Sequence, residues 1–367
     1  MTHPDDSDRD SKSTPGQGTD VNDVAKVIPL HGGASTRSAR SRATDPPSST
    51  PPIRRPEPDS APPAAAPPGA VADAVDERAG TPLDGLRDRV ADQVTGLAGF
   101  VRRRLAGDYE VDEFGYDPHF ADAVFLPALR PLFEKWFRVE TRGVENIPAH
   151  GGALVVSNHA GVVPIDGLMA SVAVHDHHPQ HRALRMLAAD LAFELPVVGN
   201  IARKAGHTLA CHPDAERLLR GGEVAAVFPE GYKGVGKPFS ERYKLQRFGR
   251  GGFVSAAMRA GVPIIPCSIV GSEEIYPKIG DLAPLARLLG MPYFPVTPMF
   301  PHLGPLGLIP LPSKWYIEFG TPIVTDTYDA AEADDPMVLF EVTDHVRETI
   351  QQTLYRLLAQ RRNVFMG

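Results

Sequence analysis

Two residues in the stretch LVVSNHAGVVPIDG, Leu154 to Gly167, have side chains suited to proton transfer. An apolar run leads into Asn158-His159, and Asp166 opens the next apolar run. Imidazole exchanges a proton near neutral pH. A carboxylate on one ring nitrogen fixes the tautomer, leaves the other nitrogen as a base and stabilises the imidazolium that forms. The pattern predicts a strand ending at His159 and a helix starting near Asp166, with His159 able to deprotonate an alcohol while Asp166 holds its ring. Asp166 also reads as a helix N-cap ahead of Gly167-Leu168-Met169, and the two roles are compatible.

A second constellation is FPEGYKGVGKPF, Phe228 to Phe239. Its glycines let backbone amides approach an anion, and Lys233 and Lys237 would neutralise it. Gly231 to Lys237 also matches the G-x-x-x-x-G-K part of a nucleotide-binding loop. The next residue is Pro238, which lacks both the metal-binding hydroxyl and the amide hydrogen, and this counts against a nucleotide-binding protein. Lys244, Arg247 and Arg250 extend a basic patch downstream. Arg203, in LPVVGNIARKAGHT, is placed to clamp a phosphate bidentately or to cap a helix. The histidine-rich HDHHPQH, His175 to His181, reads as a polar turn without the helical spacing of metal ligands, so no metal is expected. No G-x-S-x-G is present, so a nucleophile-elbow hydrolase lacks its central feature.

The elements that would position these residues are legible as hydrophobic periods. From Ala153 onward the short apolar runs ALVVS, ALRML, VAAVF, VPIIPCSIV and WYIEF alternate with helical segments. Such runs predict an α/β fold with a mostly parallel central sheet flanked by helices. Pro213 with Asp214 and Glu216 starts one helix, and Gly221-Gly222 ends it. Before the sheet, Leu83 to Val101 and Asp117 to Phe137 carry apolar residues at helical spacing, giving an N-terminal helical segment over 82–138. The first of these helices ends in Arg102-Arg103-Arg104 and suits either packing on the domain or an anionic lipid surface. Residues 139–367 form the α/β domain, closed by an amphipathic helix over Val338 to Arg362.

The chain has 367 residues, 42% hydrophobic content and a formal net charge of −7, which argues against nucleic-acid binding. Residues 1–81 are rich in Pro, Ser and Ala and are expected to form a disordered tail. The N-terminus, MTHPDDSDRD, has neither a basic nor an apolar region, so no secretory signal is expected, and Cys211 and Cys267 read as reduced cytosolic thiols. Leu288 to Ser313 has no Asp, Glu, Lys or Arg, but its seven prolines exclude a spanning helix. It reads as an apolar loop that packs on the domain, lines an acyl pocket or dips into the headgroup layer. A cytoplasmic protein held peripherally at a membrane is the expectation.

Asn158-His159 with Asp166, then Gly199 to Arg203, then Phe228-Pro229-Glu230-Gly231, then VPIIPCSIV resembles the glycerolipid (lysophosphatidic-acid acyltransferase-like) acyltransferase family, over roughly Val139 to Thr325. The resemblance implies a glycerol-phosphate acyltransferase-like fold. It also implies acyl transfer from a thioester donor, acyl-CoA or acyl carrier protein, to a hydroxyl of a glycerolipid such as a lysophospholipid, without a further cofactor. His159 would be the general base and Asp166 its orienter. Arg203 and the block Phe228, Pro229, Glu230 and Gly231 would hold the acceptor, with Lys233, Lys237 and Arg250 as cations beside it. The family spacing is H-x4-D, whereas this chain has H-x6-D, closer to the branch with neutral-lipid and wax-type enzymes. Tyr232-Lys233 replaces the usual Thr-Arg or Ser-Arg, and Phe248-Gly249-Arg250-Gly251 shifts the cation of an F-K-x-G motif. These departures leave a mono- or diacylglycerol acceptor open. Outside the enzymes, a non-catalytic lipid-binding protein would keep the apolar loop and the basic patch.

Overall fold

A computed structural model describes residues 82–194, 197–329 and 331–367, and the expected tail over 1–81 lies outside them. The runs anticipated from the sequence form a seven-stranded sheet in the order β1-β9-β6-β2-β5-β3-β4. Its strands are β1 (Glu140–Arg142), β2 (Ala153–Ser157), β3 (Leu184–Ala188), β4 (Thr208–Leu209), β5 (Val224–Val227), β6 (Ile264–Val270) and β9 (Tyr316–Phe319). A separate two-stranded ribbon joins β7 (Gly280–Asp281) to β8 (Pro295–Val296).

All neighbouring pairs of the main sheet are parallel except β6 with β9. Every residue of β2 and β6 is buried, as strands covered on both faces require. Alternation sorts their side chains. Val155 joins Met169 and Val172 of the helix Ile165–His177 on one face. Leu154 and Val156 face Leu219, Val254, Val346 and Ile350 on the other. Those residues belong to the helices His212–Arg220, Gly252–Ala260 and Pro336–Gln360.

The segment before the sheet is helical as expected, but its second helix is composite. Pro118–Phe120, a π-helical stretch Ala121–Phe125, Leu126–Pro131 and a second π-helical stretch Leu132–Trp136 run end to end. The first helix, Pro82–Ala106, leaves Val94, Leu97, Val101 and Leu105 exposed, while its Phe100 ring rests 6.2 Å from that of Phe120.

The histidine-rich stretch corrects one expectation. It is not a turn at its start, because the helix Ile165–His177 runs through His175 and His177. His175 pairs with Asp122 at 3.3 Å and with Asp176 at 2.9 Å, and Arg130 forks onto Asp176 with two bonds of 2.8 Å. The buried His178 bonds to the carbonyl of Ile147. His175 and Asp176 thus fasten the helical segment to the domain through Asp122 and Arg130.

Candidate active site

Register brings the site together. Val156 of β2 stands opposite Val227 of β5, so His159 and Glu230, each three residues further on, emerge level from adjacent parallel strands. Ligand sites of parallel sheets lie beyond these carboxyl ends. On the other flank, the side chain of Asn158 continues the pairing between β2 and β6. Its amide donates to the Ile269 carbonyl at 2.9 Å, and its oxygen accepts the Ile269 N–H at 2.8 Å. Asn158 is therefore fully buried and locks the strand end from which His159 projects.

The His159 Nδ1 lies 2.8 Å from Asp166 Oδ2. The same oxygen accepts the Ala160 amide at 2.9 Å, and Asp166 Oδ1 accepts the Gly167 amide at 2.8 Å. Asp166 is completely buried, whereas the His159 side chain keeps 14% exposure. A carboxylate acceptor at Nδ1 assigns the proton there and leaves Nε2 as a lone pair. Nε2 has no hydrogen-bond partner among the described residues. The Phe228 ring packs on the imidazole with centroids 4.5 Å apart.

The two extra residues between His159 and Asp166 are taken up by tight turns. Val163 N–H donates to Gly161 O at 2.5 Å, and Ile165 N–H to Val163 O at 2.7 Å, each closing a three-residue turn. Gly161 has φ +100°, and a Cβ there would meet Ser272 O at 2.6 Å. Val162 follows at φ +61°, a left-handed conformation that strains a β-branched residue. Tyr293, from the proline-rich loop, donates its hydroxyl to the Val162 carbonyl.

The Phe228–Gly231 turn works from below. Glu230 Oε1 accepts the His159 amide at 2.9 Å, and Oε2 accepts the Gln246 amide at 2.7 Å. Both oxygens are occupied by protein donors and the residue is buried, so Glu230 holds the His159 backbone in place. Gly234 sits so close that a Cβ would meet the His159 carbonyl at 2.6 Å.

Lys237 departs from the expectation of an open anion-binding cation. Its side chain is 4% exposed, with Nζ 3.0 Å from Glu273, 3.6 Å from Glu230 and 3.2 Å from the Lys244 carbonyl. Burial pushes the Glu273 carboxyl up to about 7, against the opposing pull of Lys237. Glu273 also accepts the Tyr243 amide at 2.8 Å. Lys233, in contrast, is exposed and has no ion-pair partner among the described residues.

Arg203 is exposed at the end of the helix Val198–Lys204, its guanidinium 4.7 Å from the Phe193 ring centroid. No described hydrogen bond or ring contact joins it to the His159 loop. Arg250 is exposed and lines a groove beside the C-terminal helix. Burial pushes the Cys267 thiol up to about 12, which keeps it a neutral core group.

Glu273, Gln246 and Tyr293 are the contributors that motif reading did not reach. Each lies far along the chain from the residue it holds, and their only signal was an ionisable or polar residue beside an apolar strand or loop.

Comparison with known proteins finds acyltransferase similarity over this part of the chain. Residues 138–270 match the Acyltransferase family profile. A Mycobacterium tuberculosis protein, named only as uncharacterized, is 60% identical over 94% of this chain and 98% of its own. A human protein named as a DGAT1/2-independent enzyme synthesizing storage lipids is 29% identical over 54% of this chain and 57% of its own. The crystal structure of the 1-acyl-sn-glycerophosphate acyltransferase PlsC from Thermotoga maritima is similar at 18% identity with a TM-score of 0.45, covering 75% of this chain and all of that one. The part of the chain that carries His159, Asp166 and Glu230 is thus the part that is similar to acyltransferases.

Proposed function

We propose that this protein is a membrane-surface O-acyltransferase that moves a fatty acyl group from a thioester, acyl-CoA or acyl carrier protein, to a glycerolipid hydroxyl. The observation that carries the reading is the 2.8 Å contact between His159 Nδ1 and the buried Asp166, which leaves Nε2 free. In the reaction, Nε2 takes the proton from the acceptor hydroxyl as its oxygen attacks the thioester carbonyl. The tetrahedral intermediate collapses, the C–S bond breaks, and the thiolate leaves with the proton held on His159. Asp166 keeps the ring oriented and offsets the imidazolium charge.

The acceptor is a lysophospholipid in the first reading, with Arg203 and Lys233 as the cations that meet its phosphate. Burial of Lys237 removes one cation from that set and favours a neutral mono- or diacylglycerol as the second reading. Arg203→Ala and Lys233→Ala, assayed against both acceptors, separate them: loss confined to the phosphorylated acceptor supports the first.

Membrane contact fits the surface. Among the described residues no helix is long and apolar enough to cross a membrane. The loop after Ile279 exposes Leu288, Leu289, Met291, Leu303, Leu306, Leu308 and Ile309, whereas Phe294 and Phe300 are half-buried with ring centroids 5.5 Å apart. The leucines, not these phenylalanines, are the residues to meet lipid.

The test is incubation of purified protein with labelled long-chain acyl-CoA and a panel of acceptor lipids, followed by product identification. His159→Ala should cut transfer by about 10³-fold or more. Transfer at the wild-type rate in this variant would end the proposal and leave a lipid-binding protein.

A further inference from the structure

Tyr293 lies just ahead of β8 in the ribbon that runs from Ile279 to Val296, and main-chain bonds hold that ribbon in shape. Ile279 N–H donates to the Val296 carbonyl at 2.8 Å, Leu282 N–H to the Phe294 carbonyl at 2.9 Å, and Phe294 N–H to Asp281 Oδ1 at 2.9 Å. The half-buried ring is seated against Lys278 and Gly236. Lys278 Nζ is 4.7 Å from the ring centroid and donates to the Gly236 carbonyl at 2.6 Å. A Cβ on Gly236 would meet the ring at 3.0 Å, so the missing side chain there makes room for it.

From this seat the phenol donates to the Val162 carbonyl at 2.5 Å. One side chain thus touches both loops of the candidate site, the His159–Asp166 loop at Val162 and the continuation of the Phe228–Gly231 turn at Gly236. Burial, and after it the charge of Asp166, push the hydroxyl above its ordinary range, so it remains a protonated donor.

Val162 is the centre of the first of the two tight turns between His159 and Asp166. A left-handed φ of +61° at a β-branched residue persists only where the surroundings enforce it. Two hydrogen bonds do so here. Val162 N–H donates to the Val235 carbonyl at a long 3.3 Å, and its carbonyl accepts Tyr293. One hydrogen bond contributes about as much as such a backbone costs, so the phenol decides whether the turn keeps its shape.

We infer that Tyr293 is a positioning residue for the His159–Asp166 pair, acting through the Val162 carbonyl. Without its hydroxyl the turn relaxes, and the 2.8 Å contact between His159 Nδ1 and Asp166 Oδ2 loosens with it. Other anchors stay in place, Glu230 on the His159 amide and the Ala160 and Gly167 amides on Asp166, so the displacement is small. Only the kinetic consequence rests on the acyl-transfer reading above.

Tyr293→Phe keeps the ring and removes the hydroxyl alone. With a long-chain acyl-CoA and the acceptor lipid that the wild type uses best, kcat should fall about tenfold while KM for each substrate stays within about twofold. The melting temperature should stay within about 4 °C of wild type. A spectroscopic arm needs no turnover. Proton NMR of the full chain follows the low-field resonance of the His159 Nδ1–H, identified by its loss in His159→Gln, and this resonance should move upfield in Tyr293→Phe. A ring that merely packs would leave both readouts alone. Wild-type kcat, a rise in KM without a fall in kcat, or an unmoved resonance overturns the assignment. If the resonance moves but neither protein transfers an acyl group from acyl-CoA or acyl carrier protein, the positioning role stands and the proposed activity falls.

Discussion

The polar layer under His159 and the apolar loop after Ile279 handle burial in opposite ways. Beneath His159, Asn158, Asp166, Glu230, Lys237 and Glu273 are all buried, and each is engaged by protein donors or acceptors. In the loop, Leu288, Leu303, Leu306 and Leu308 are exposed among the described residues. A buried polar network is stable only when fully satisfied, so the first region is rigid and intolerant of change. An exposed apolar surface gains by being covered, so the second is the region that a covering surface would stabilise. Tyr293 is the point where the two meet, through its bond to the Val162 carbonyl.

The comparison can be broken most severely at Lys237. Lys237→Met leaves Glu230 and Glu273 buried without their cation, and should cost about 3–5 kcal/mol in denaturant unfolding. A loss below about 1 kcal/mol would show that the layer is hydrated and loose. Asp166→Asn comes next: it preserves shape but no longer fixes the ring proton, and transfer should drop about 10³-fold with little change in melting temperature. At the loop, Leu288→Glu and Leu306→Glu should leave unfolding nearly unaltered while each lowers vesicle partitioning about tenfold. Vesicle binding equal to wild type would detach the loop from any lipid role.

The smallest effect concerns pH. Hydrogen bonds to Asp122 and then Asp176 raise His175 from 6.5 to about 9. Because the folded pKa is the higher one, the stabilisation is fully present below pH 6.5 and is lost as pH rises through about 9. Asp122 is 59% exposed, so screening keeps the contribution modest. His175→Gln should therefore melt below wild type in mild acid and converge with it in alkali, as followed by circular dichroism.

How far the sequence reached follows from the same physics. The strands β2, β3, β5 and β6 were legible because buried parallel strands are continuous apolar runs. The three-residue β1 and two-residue β4 carry too few residues to show a period. The reversed direction of β9 was hidden, since alternation along YIEF is the same whichever way the strand runs. His159, Asp166 and Glu230 could be singled out in the sequence because they follow apolar runs in short motifs. Lys237 was misread because a lysine among glycines looks solvated until Glu273, 36 residues on, folds over it. The bond from Glu230 to the His159 amide was hidden because the register placing the two level is a property of paired strands.

The paired three-residue turns at Gly161–Val163 and Val163–Ile165 also bear on how such a chain can change in evolution. They act as a slack loop that stores two residues without moving either anchor, since Asn158 fixes one end and the helix starting at Ile165 fixes the other. Insertions and deletions at this point alter the interval counted along the chain while leaving the imidazole and carboxylate where they were. The distance that matters is measured through space, and related chains can differ in loop length here while keeping the same chemistry.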